Sequence, residues 1–337
     1  MAENKNPVYR KTKRNIKNKT YTIDDARETV LKIKQLEGLT KNSIINYEKL
    51  FNDLDRFFGE VREVNLLSVD DGRNFIQWQL NEKIQFKNQK HRKTKIKGVS
   101  ISSANTYLQI GKAAFEVLKN EGVVSENIFS KIRPMREKEK IIETLTINEI
   151  NKLFRSMDKT IYSEFREYVI CHFMLDSFAR INSVLHVKKS DIDFERQAVT
   201  FQQTKNGRVH IVPLSKSTIK LIQELILETS DFNSEYLFLN VFGDRLTADT
   251  FRKHFREIVE RSGLDKRVNP HLFRHTASKL FLEQNGNIRV LQKILDHSAL
   301  ETTSRYAHVL DKTIQEQHRQ FSPVNLLKQK KKTKTRL

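Results

Sequence analysis

The stretch "NPHLFRHTASKLFLEQNG", residues 269–286, decides how the second half of the chain folds. Asn269 is a good helix N-cap and Pro270 suits the first helical position. His271 and Arg274 are three residues apart, so they share one face in the first turn of the predicted helix. Unpaired backbone N–H groups, an imidazole and a guanidinium at a helix start favour an anion such as phosphate. A solvated helix start is the simpler alternative.

The same stretch contains a histidine pair that resembles a metal motif. His271 and His275 are four residues apart, which is a spacing found in zinc sites. Arg274 lies between them, where a metalloprotease would need a glutamate, and its permanent positive charge repels a divalent cation. The sequence therefore predicts no metal site here.

A second polar stretch, "HSALETTSRYAH", follows at residues 297–308. Ser298 and Glu301 form a capping box, which predicts a helix start directly after His297. Tyr306 then lies about two turns into that helix, so both side chains can approach one anion from different sides. Taken singly, His297 is also compatible with a capping role and Tyr306 with a packing role.

Two further cations lie upstream. Arg180 comes directly after a turn of small residues that follows an apolar helix predicted at about 162–175, and a half-buried arginine needs an anionic partner. Lys205 precedes Asn206-Gly207, which is the strongest short signal for a β-hairpin, here between two short strands. A plain surface charge is the alternative for this lysine.

Composition limits the class of protein. The 337 residues carry a formal charge of +20, which favours an anionic partner, and nucleic acid is the usual one. Only 10 glycines and 5 prolines are present, which favours long helices. No run of 18 apolar residues and no secretory signal is found, and the single cysteine, Cys171, lies in an apolar run as a buried structural thiol would. These properties predict a protein of a reducing cytoplasm that is not bound to a membrane.

Charge and helical periodicity predict five segments. A basic flexible tail precedes a small helical bundle, and a charged linker interrupted by Pro134 leads to a second domain that mixes helices with the β-hairpin and ends in a basic tail. The fold class is thus mainly α with a small β-hairpin or sheet. The predicted boundaries are 1–19, 20–129, 130–143, 144–322 and 323–337.

A basic loop, "KIQFKNQKHRKTKIKG", interrupts the helical bundle at residues 83–98. Its cations are candidates for contacts to a DNA backbone, and a solvated charged loop is an equally good interpretation. They are Lys87, Lys90, Arg92, Lys93, Lys95 and Lys97.

Together these motifs resemble those of the tyrosine recombinases, also called the phage integrase family. The resemblance rests on "ARINSVLHV", "TKNGRVHIVPL", "HLFRHTASKLFL", "LDHSALETTSRYAHV" and the helical N-terminal half, from about residue 20 to 320. It implies a helical core-binding domain and a catalytic domain that form a C-shaped clamp on DNA. It also implies site-specific cleavage and rejoining of DNA through a 3′-phosphotyrosyl intermediate, with no metal or nucleotide cofactor.

The resemblance implies a role for each site residue. Arg180 and Arg274 bind the non-bridging oxygens of the scissile phosphate, and His297 donates a further hydrogen bond to it. Lys205 protonates the leaving 5′-hydroxyl, His271 performs acid–base chemistry at the nucleophile, and Tyr306 attacks. The side-chain chemistry agrees, because a phenol with a pKa near ~10 needs cations and a base to attack at neutral pH.

The chain departs from the usual family pattern at two positions. Ser183 stands three residues after Arg180, where glutamate is frequent, and Asp296 stands before His297, where glycine is more usual. Asp296 either favours the charged form of His297 or faces solvent. Neither departure removes a catalytic group.

The expected partner is double-stranded DNA carrying specific recombination sites, bound by a homotetramer on two sites in a prokaryotic cytoplasm, at the nucleoid. Accessory DNA-bending proteins are further expected partners, and the segment after Tyr306 packs either in its own subunit or on a neighbour. An integrase or transposase of a mobile element is preferred over an Xer-like chromosome-dimer resolvase. A topoisomerase of type IB character and a non-catalytic DNA-binding protein of the same fold are two competing hypotheses.

Overall fold

The computed structural model describes residues 20–59, 63–85, 96–137, 143–202 and 209–296. The chain divides into two compact units, Met1–Glu139 and Lys140–Leu337. The basic tails predicted at 1–19 and 323–337 lie outside the described residues. None of the described helices has the length and apolar character needed to traverse a lipid bilayer.

The first unit is built from helices whose starts are marked by polar caps. Thr22 forms a capping box with Asp25, and Ser68 forms another with Asp71. The described helices are α1 (Ile23–Leu36), α2 (Lys41–Phe58), α3 (Val69–Asn81) and α4 (Ile101–Asn120).

Aromatic side chains fill the core of this unit. Phe75, Phe115 and Phe129 are fully buried, and the rings of Phe115 and Phe129 meet edge to face with centroids 5.2 Å apart. A Cβ at Gly111 would lie 2.9 Å from the Phe129 ring, so only glycine allows α4 to pack this closely. Met135 also packs on this core, so the beginning of the predicted linker 130–143 belongs to the first unit.

A buried polar cluster lies at the base of the basic loop. Lys83 donates hydrogen bonds to Asp53 and, over 3.0 Å, to the hydroxyl of Tyr107. Burial, the largest cause, lowers the pKa of Lys83, and burial raises the pKa of Tyr107. The one described candidate of the loop, Lys97, is exposed and pairs across a β-bridge with Ile84, whereas its other five candidates lie outside the described residues.

In the second unit, helices and a small sheet surround a central apolar helix, α6 (Tyr162–Ser177). Three antiparallel strands form the sheet in the order β1-β2-β3, and Phe201 of β2 is paired with His210 of β3. The sequence predicts the two hairpin strands but not β1, which is only two residues long. The elements are α5 (Ile147–Arg155), α6 (Tyr162–Ser177), α7 (Ile181–Val184), β1 (Ile192–Asp193), β2 (Ala198–Phe201), β3 (His210–Pro213), α8 (Lys216–Glu228), α9 (Ala248–Ser262), α10 (Pro270–Glu283) and α11 (Ile288–Ile294).

Side chains of α6 line the core of this unit, and Cys171 is among them at 1% exposure. Burial raises the pKa of its thiol well above the usual value, in agreement with the structural role predicted for it. The helix also carries a buried ion pair between Arg166 and Glu167, with N–O separation 2.8 Å. Arg166 also donates to the carbonyl of Leu239 over 2.7 Å.

We expect substitution of Arg166 by methionine to lower the free energy of unfolding by about 3–5 kcal/mol, because Glu167 would keep a buried charge with only the more distant His254, 3.6 Å away, beside it. Burial, the largest cause, raises the pKa of Glu167. Protonation on acidification removes that charge, so the deficit of the variant is smaller at pH 5 than at pH 8. Urea unfolding at both pH values measures this. The control is the same change at Arg196, whose side chain is 86% exposed. Equal losses in the two variants, or a deficit of Arg166→Met that grows on acidification, would contradict the prediction.

Candidate active site

The centre of the site is Arg274, at the fifth position of α10. The helix begins as the sequence predicts, with Asn269 as N-cap accepting from the N–H of Leu272 and Pro270 in the first turn. Arg274 is 8% exposed, and its two terminal nitrogens each donate over 2.7 Å to a backbone carbonyl. The acceptors are Phe178, which caps the C-terminus of α6, and Leu295, which caps that of α11. The guanidinium is thus held by neutral groups that leave its charge intact.

Arg180 and Arg274 both line a narrow cleft, whose volume is about 30 Å³. Arg180 is the N-cap residue of α7 and is half-buried. Among the described residues its guanidinium has no hydrogen bond or ion pair partner. A half-buried cation beside a second, fixed guanidinium is what a phosphate group requires.

His271 lies one turn before Arg274 on α10. Partial burial of the ring, followed by the positive charges of Arg274, Arg180 and Arg252, lowers the pKa of His271. These surroundings therefore favour the neutral imidazole, which can accept a proton. This electrostatic coupling also shows that the three predicted residues that the structure describes lie in one neighbourhood.

The other predicted catalytic residues, Lys205, His297 and Tyr306, lie outside the described residues. For Lys205 and His297, residues close by in the chain are described. The strand after Lys205 begins at His210, and the chain reaches Asp296 immediately before His297. Both His210 and Asp296 line the cleft that contains Arg180 and Arg274.

Sequence reasoning missed His210 and the carbonyl acceptors of Arg274. His210 donates through Nε2 to the carbonyl of Ile294 over 3.0 Å, because a carbonyl can only accept. The alternating pattern of β3 could have indicated an inward-facing side chain at position 210, but not its partner. Ser183 and Asp296, the two departures from the usual pattern, both line the cleft.

Comparison with known proteins assigns the chain to a family. A profile of the phage integrase family matches residues 143–313, just over half of the 337 residues. The chain belongs to the phage integrase family. It is a tyrosine recombinase, a DNA strand transferase that carries out site-specific recombination.

Relatives of the recombinase agree with this assignment. Tyrosine recombinase XerD of Listeria monocytogenes serovar 1/2a is 24% identical over 300 residues, covering 85% of this chain and 94% of that protein. Tyrosine recombinase XerC of Chlamydia trachomatis serovar L2 is 27% identical over 213 residues, covering 62% of this chain and 67% of that protein.

Solved structures show the same fold. The Tn1549 transposon integrase in complex with a circular intermediate DNA matches with a TM-score of 0.70 and 18% identity, covering 87% of this chain and 99% of that one. A lambda integrase dimer bound to a COC' core site matches with a TM-score of 0.67 and 16% identity, covering 86% of this chain and 78% of that one.

Asp296 lines the cleft, so its carboxylate would repel a phosphate bound there, and we expect Asp296→Asn to bind DNA more tightly. The gain is roughly fivefold at low salt, about 1 kcal/mol, and it shrinks as salt screens the repulsion. Fluorescence anisotropy with a core-site duplex measures it across salt concentrations. Asp231→Asn, a matched change at an exposed position outside the cleft, should change affinity less. Equal or weaker binding by Asp296→Asn would refute the prediction.

Proposed function

We propose that the cleft holds the scissile phosphate of a DNA strand, with Arg180 and Arg274 on its non-bridging oxygens. The main observation in support is that two guanidiniums line one cleft. That of Arg274 is fixed by two carbonyls, and that of Arg180 has no partner among the described residues. A phosphoryl-transfer transition state spreads negative charge over its equatorial oxygens, and two guanidiniums stabilise that charge.

In this proposal the phenolic oxygen of Tyr306 attacks phosphorus while the bond from phosphorus to the 5′ oxygen breaks. His271, neutral because of its surroundings, takes the phenolic proton. Lys205 gives a proton to the departing 5′ oxygen, and His297 donates a hydrogen bond to the phosphate. One phosphate ester replaces another, so a 5′-hydroxyl can later attack the phosphotyrosine and restore the DNA strand.

The charges of these side chains do the stabilising work that a metal ion does in other phosphoryl-transfer enzymes. We therefore propose that the recombinase needs neither a metal ion nor a nucleotide. Binding of the phosphate adds negative charge near His271, which raises its proton affinity as the phenol is deprotonated.

We propose that DNA continues beyond the cleft along α9. A groove of about 660 Å³ is lined by His271, one turn before Arg274 on α10, and by the apolar side chains Phe255 and Val259 of α9. Its charged lining residues are Arg252, which pairs with Asp249, Lys266, which pairs with Glu149, and Arg256, Arg267 and Glu260. Arg256 and Arg267 are exposed and have no hydrogen bond or ion pair partner among the described residues, which suits contact with backbone phosphates. The candidates of the basic loop, including Lys97, are proposed to contact the backbone elsewhere.

For biological role we propose an integrase or transposase of a mobile element. The basic segments at both ends of the chain and the long basic loop favour this role, and so does the likeness of the fold to a transposon integrase. An Xer-like chromosome-dimer resolvase is the alternative, favoured by the 24% identity to a XerD protein over most of the chain.

The proposed assembly is a homotetramer on two DNA sites, as in the structure of a lambda integrase tetramer bound to a Holliday junction. Accessory DNA-bending proteins are proposed partners of that assembly. The segment after Tyr306 would then pack on a neighbouring subunit.

A nicked suicide duplex tests the chemistry. We expect the wild-type protein to give a covalent protein–DNA product that survives denaturing electrophoresis, and Tyr306→Phe to give none while still binding the duplex. Arg274→Ala should slow formation of the product by about 10²–10³-fold, as loss of a transition-state donor does elsewhere.

A covalent product from Tyr306→Phe would disprove the nucleophile. Duplex binding with no covalent product from the wild-type protein would instead favour a non-catalytic DNA-binding protein. Relaxation of plasmids without recombinants, whatever sites are offered, would favour a topoisomerase of type IB character.

Salt dependence of binding tests the path along α9. Arg256→Ala and Arg267→Ala should each lower the slope of log affinity against log salt by about 1, because each removes one phosphate contact. Lys220→Ala removes the same charge from α8, outside the groove, and should leave the slope close to that of the wild type. A slope unchanged in both arginine variants would rule this path out.

A further inference from the structure

His210 connects two parts of the site that are distant in the chain. Its imidazole lies on the inward face of β3 and is stacked on Phe201 of β2, with centroids 6.5 Å apart and planes 20° apart. Nε2 donates to the carbonyl of Ile294 at the end of α11. The hairpin that carries Lys205 is thereby attached to the helix that leads to His297.

The end of α11 and strand β3 are restrained to different degrees. The end of α11 is fixed independently, because Leu295 is 1% exposed and its carbonyl accepts from Arg274. β3 has four residues and, among the described strands, pairs with β2 alone. Val212 is buried in the core, whereas Ile211 is 64% exposed. The His210 hydrogen bond joins the start of the strand, the end nearest to Lys205 in the chain, to the end of α11.

We propose that His210 is a positioning residue that holds the β2–β3 hairpin so that Lys205 can protonate the leaving 5′ oxygen. The inference rests on the proposed role of Lys205 as general acid. His210 begins the strand that leaves the hairpin tip, five residues after Lys205. Under this proposal, loss of the His210 bond impairs proton delivery by Lys205, whereas Arg274 keeps both of its carbonyl partners.

The proposal predicts a defect that depends on the leaving group. When phosphorus–oxygen cleavage yields a 5′-alkoxide, a proton must be supplied, and a general acid contributes about 10²–10⁴-fold. When the bridging 5′ oxygen is replaced by sulfur, cleavage yields a thiolate, whose thiol has a pKa near ~8.5 like that of cysteine. The thiolate leaves without being protonated, so loss of the general acid hardly slows cleavage of the sulfur substrate.

The experiment compares single-turnover cleavage of an ordinary duplex and of a duplex with one 5′-bridging sulfur at the scissile position. His210→Phe keeps a ring on Phe201 and loses the donor, whereas His210→Gln keeps an N–H donor near the same place. We expect His210→Phe to cleave the oxygen substrate at least about 10-fold more slowly than wild type and the sulfur substrate within about threefold of it. His210→Gln should stay within about threefold on both.

Two reference variants calibrate the result. Lys205→Ala should show the same rescue by sulfur, and Arg274→Ala should be slow on both substrates. If His210→Phe does not fold, His210→Asn, whose amide is too short to reach Ile294, takes its place. Melting temperature and duplex affinity identify variants that are merely unfolded.

Equal slowing of His210→Phe on both substrates would overturn the proposal, because the residue would then act on the phosphate or on the fold. Wild-type rates on both substrates would overturn it as well. A Lys205→Ala variant without sulfur rescue would show instead that the proposed function assigns the wrong general acid. Absence of any covalent product from the wild-type protein would contradict the proposed chemistry itself.

Discussion

The site depends on one guanidinium that closes the ends of two helices. The last carbonyls of a helix have no partner within it and carry the negative end of its dipole. Arg274 donates to such carbonyls of α6 and α11 at once, through Phe178 and Leu295. These bonds satisfy acceptors that would otherwise be buried without partners, and they fix the position of a positive charge. The side chain that stabilises the helix junction is therefore the same one that is proposed to bind the phosphate.

The backbone around these carbonyls is bent in a costly way. Phe178 has φ of 56° and Asp296, directly after Leu295, has φ of 50°, and neither is glycine. A left-handed conformation costs such residues roughly 1 kcal/mol or more. Both bends adjoin the carbonyls that accept from Arg274, since Phe178 is itself an acceptor and Asp296 follows the acceptor Leu295. The strain is thus found where the chain must change direction to build the cleft.

Local signals in the sequence were sufficient for the helices that carry the site. Asn269 and Pro270 start α10 because an N-cap and a fixed φ act within four residues, and the Thr146–Glu149 box starts α5 for the same reason. The start of α8 is less sharply marked, because Ser215, Ser217 and Thr218 lie close together, and the structure uses Ser215 as N-cap. Several hydroxyl side chains in a row each offer a cap, and packing of the helix selects among them.

Contacts between distant segments could not be derived from the sequence. The two short residues of β1 carry no periodic signal, and the burial of Arg166 beside Glu167 depends on Leu239, 73 residues after Arg166. His210 likewise meets Ile294 across 84 residues. Patterns of residue type predict that a charged or aromatic side chain faces inward, but they do not predict which carbonyl it will meet.

Arg274, Arg180 and His271 differ in how far they are preorganised to bind an anion. Arg274 is already fixed, so it loses little entropy when phosphate binds, whereas Arg180 must still be ordered. Burial, followed by the positive charges of Arg274, Arg180 and Arg252, lowers the pKa of His271. In the proposed function, a phosphate in the cleft would offset part of these charges and so remove part of what lowers that pKa. Binding of the substrate would then make the imidazole a stronger base, at the stage when the proposed nucleophile must lose its proton.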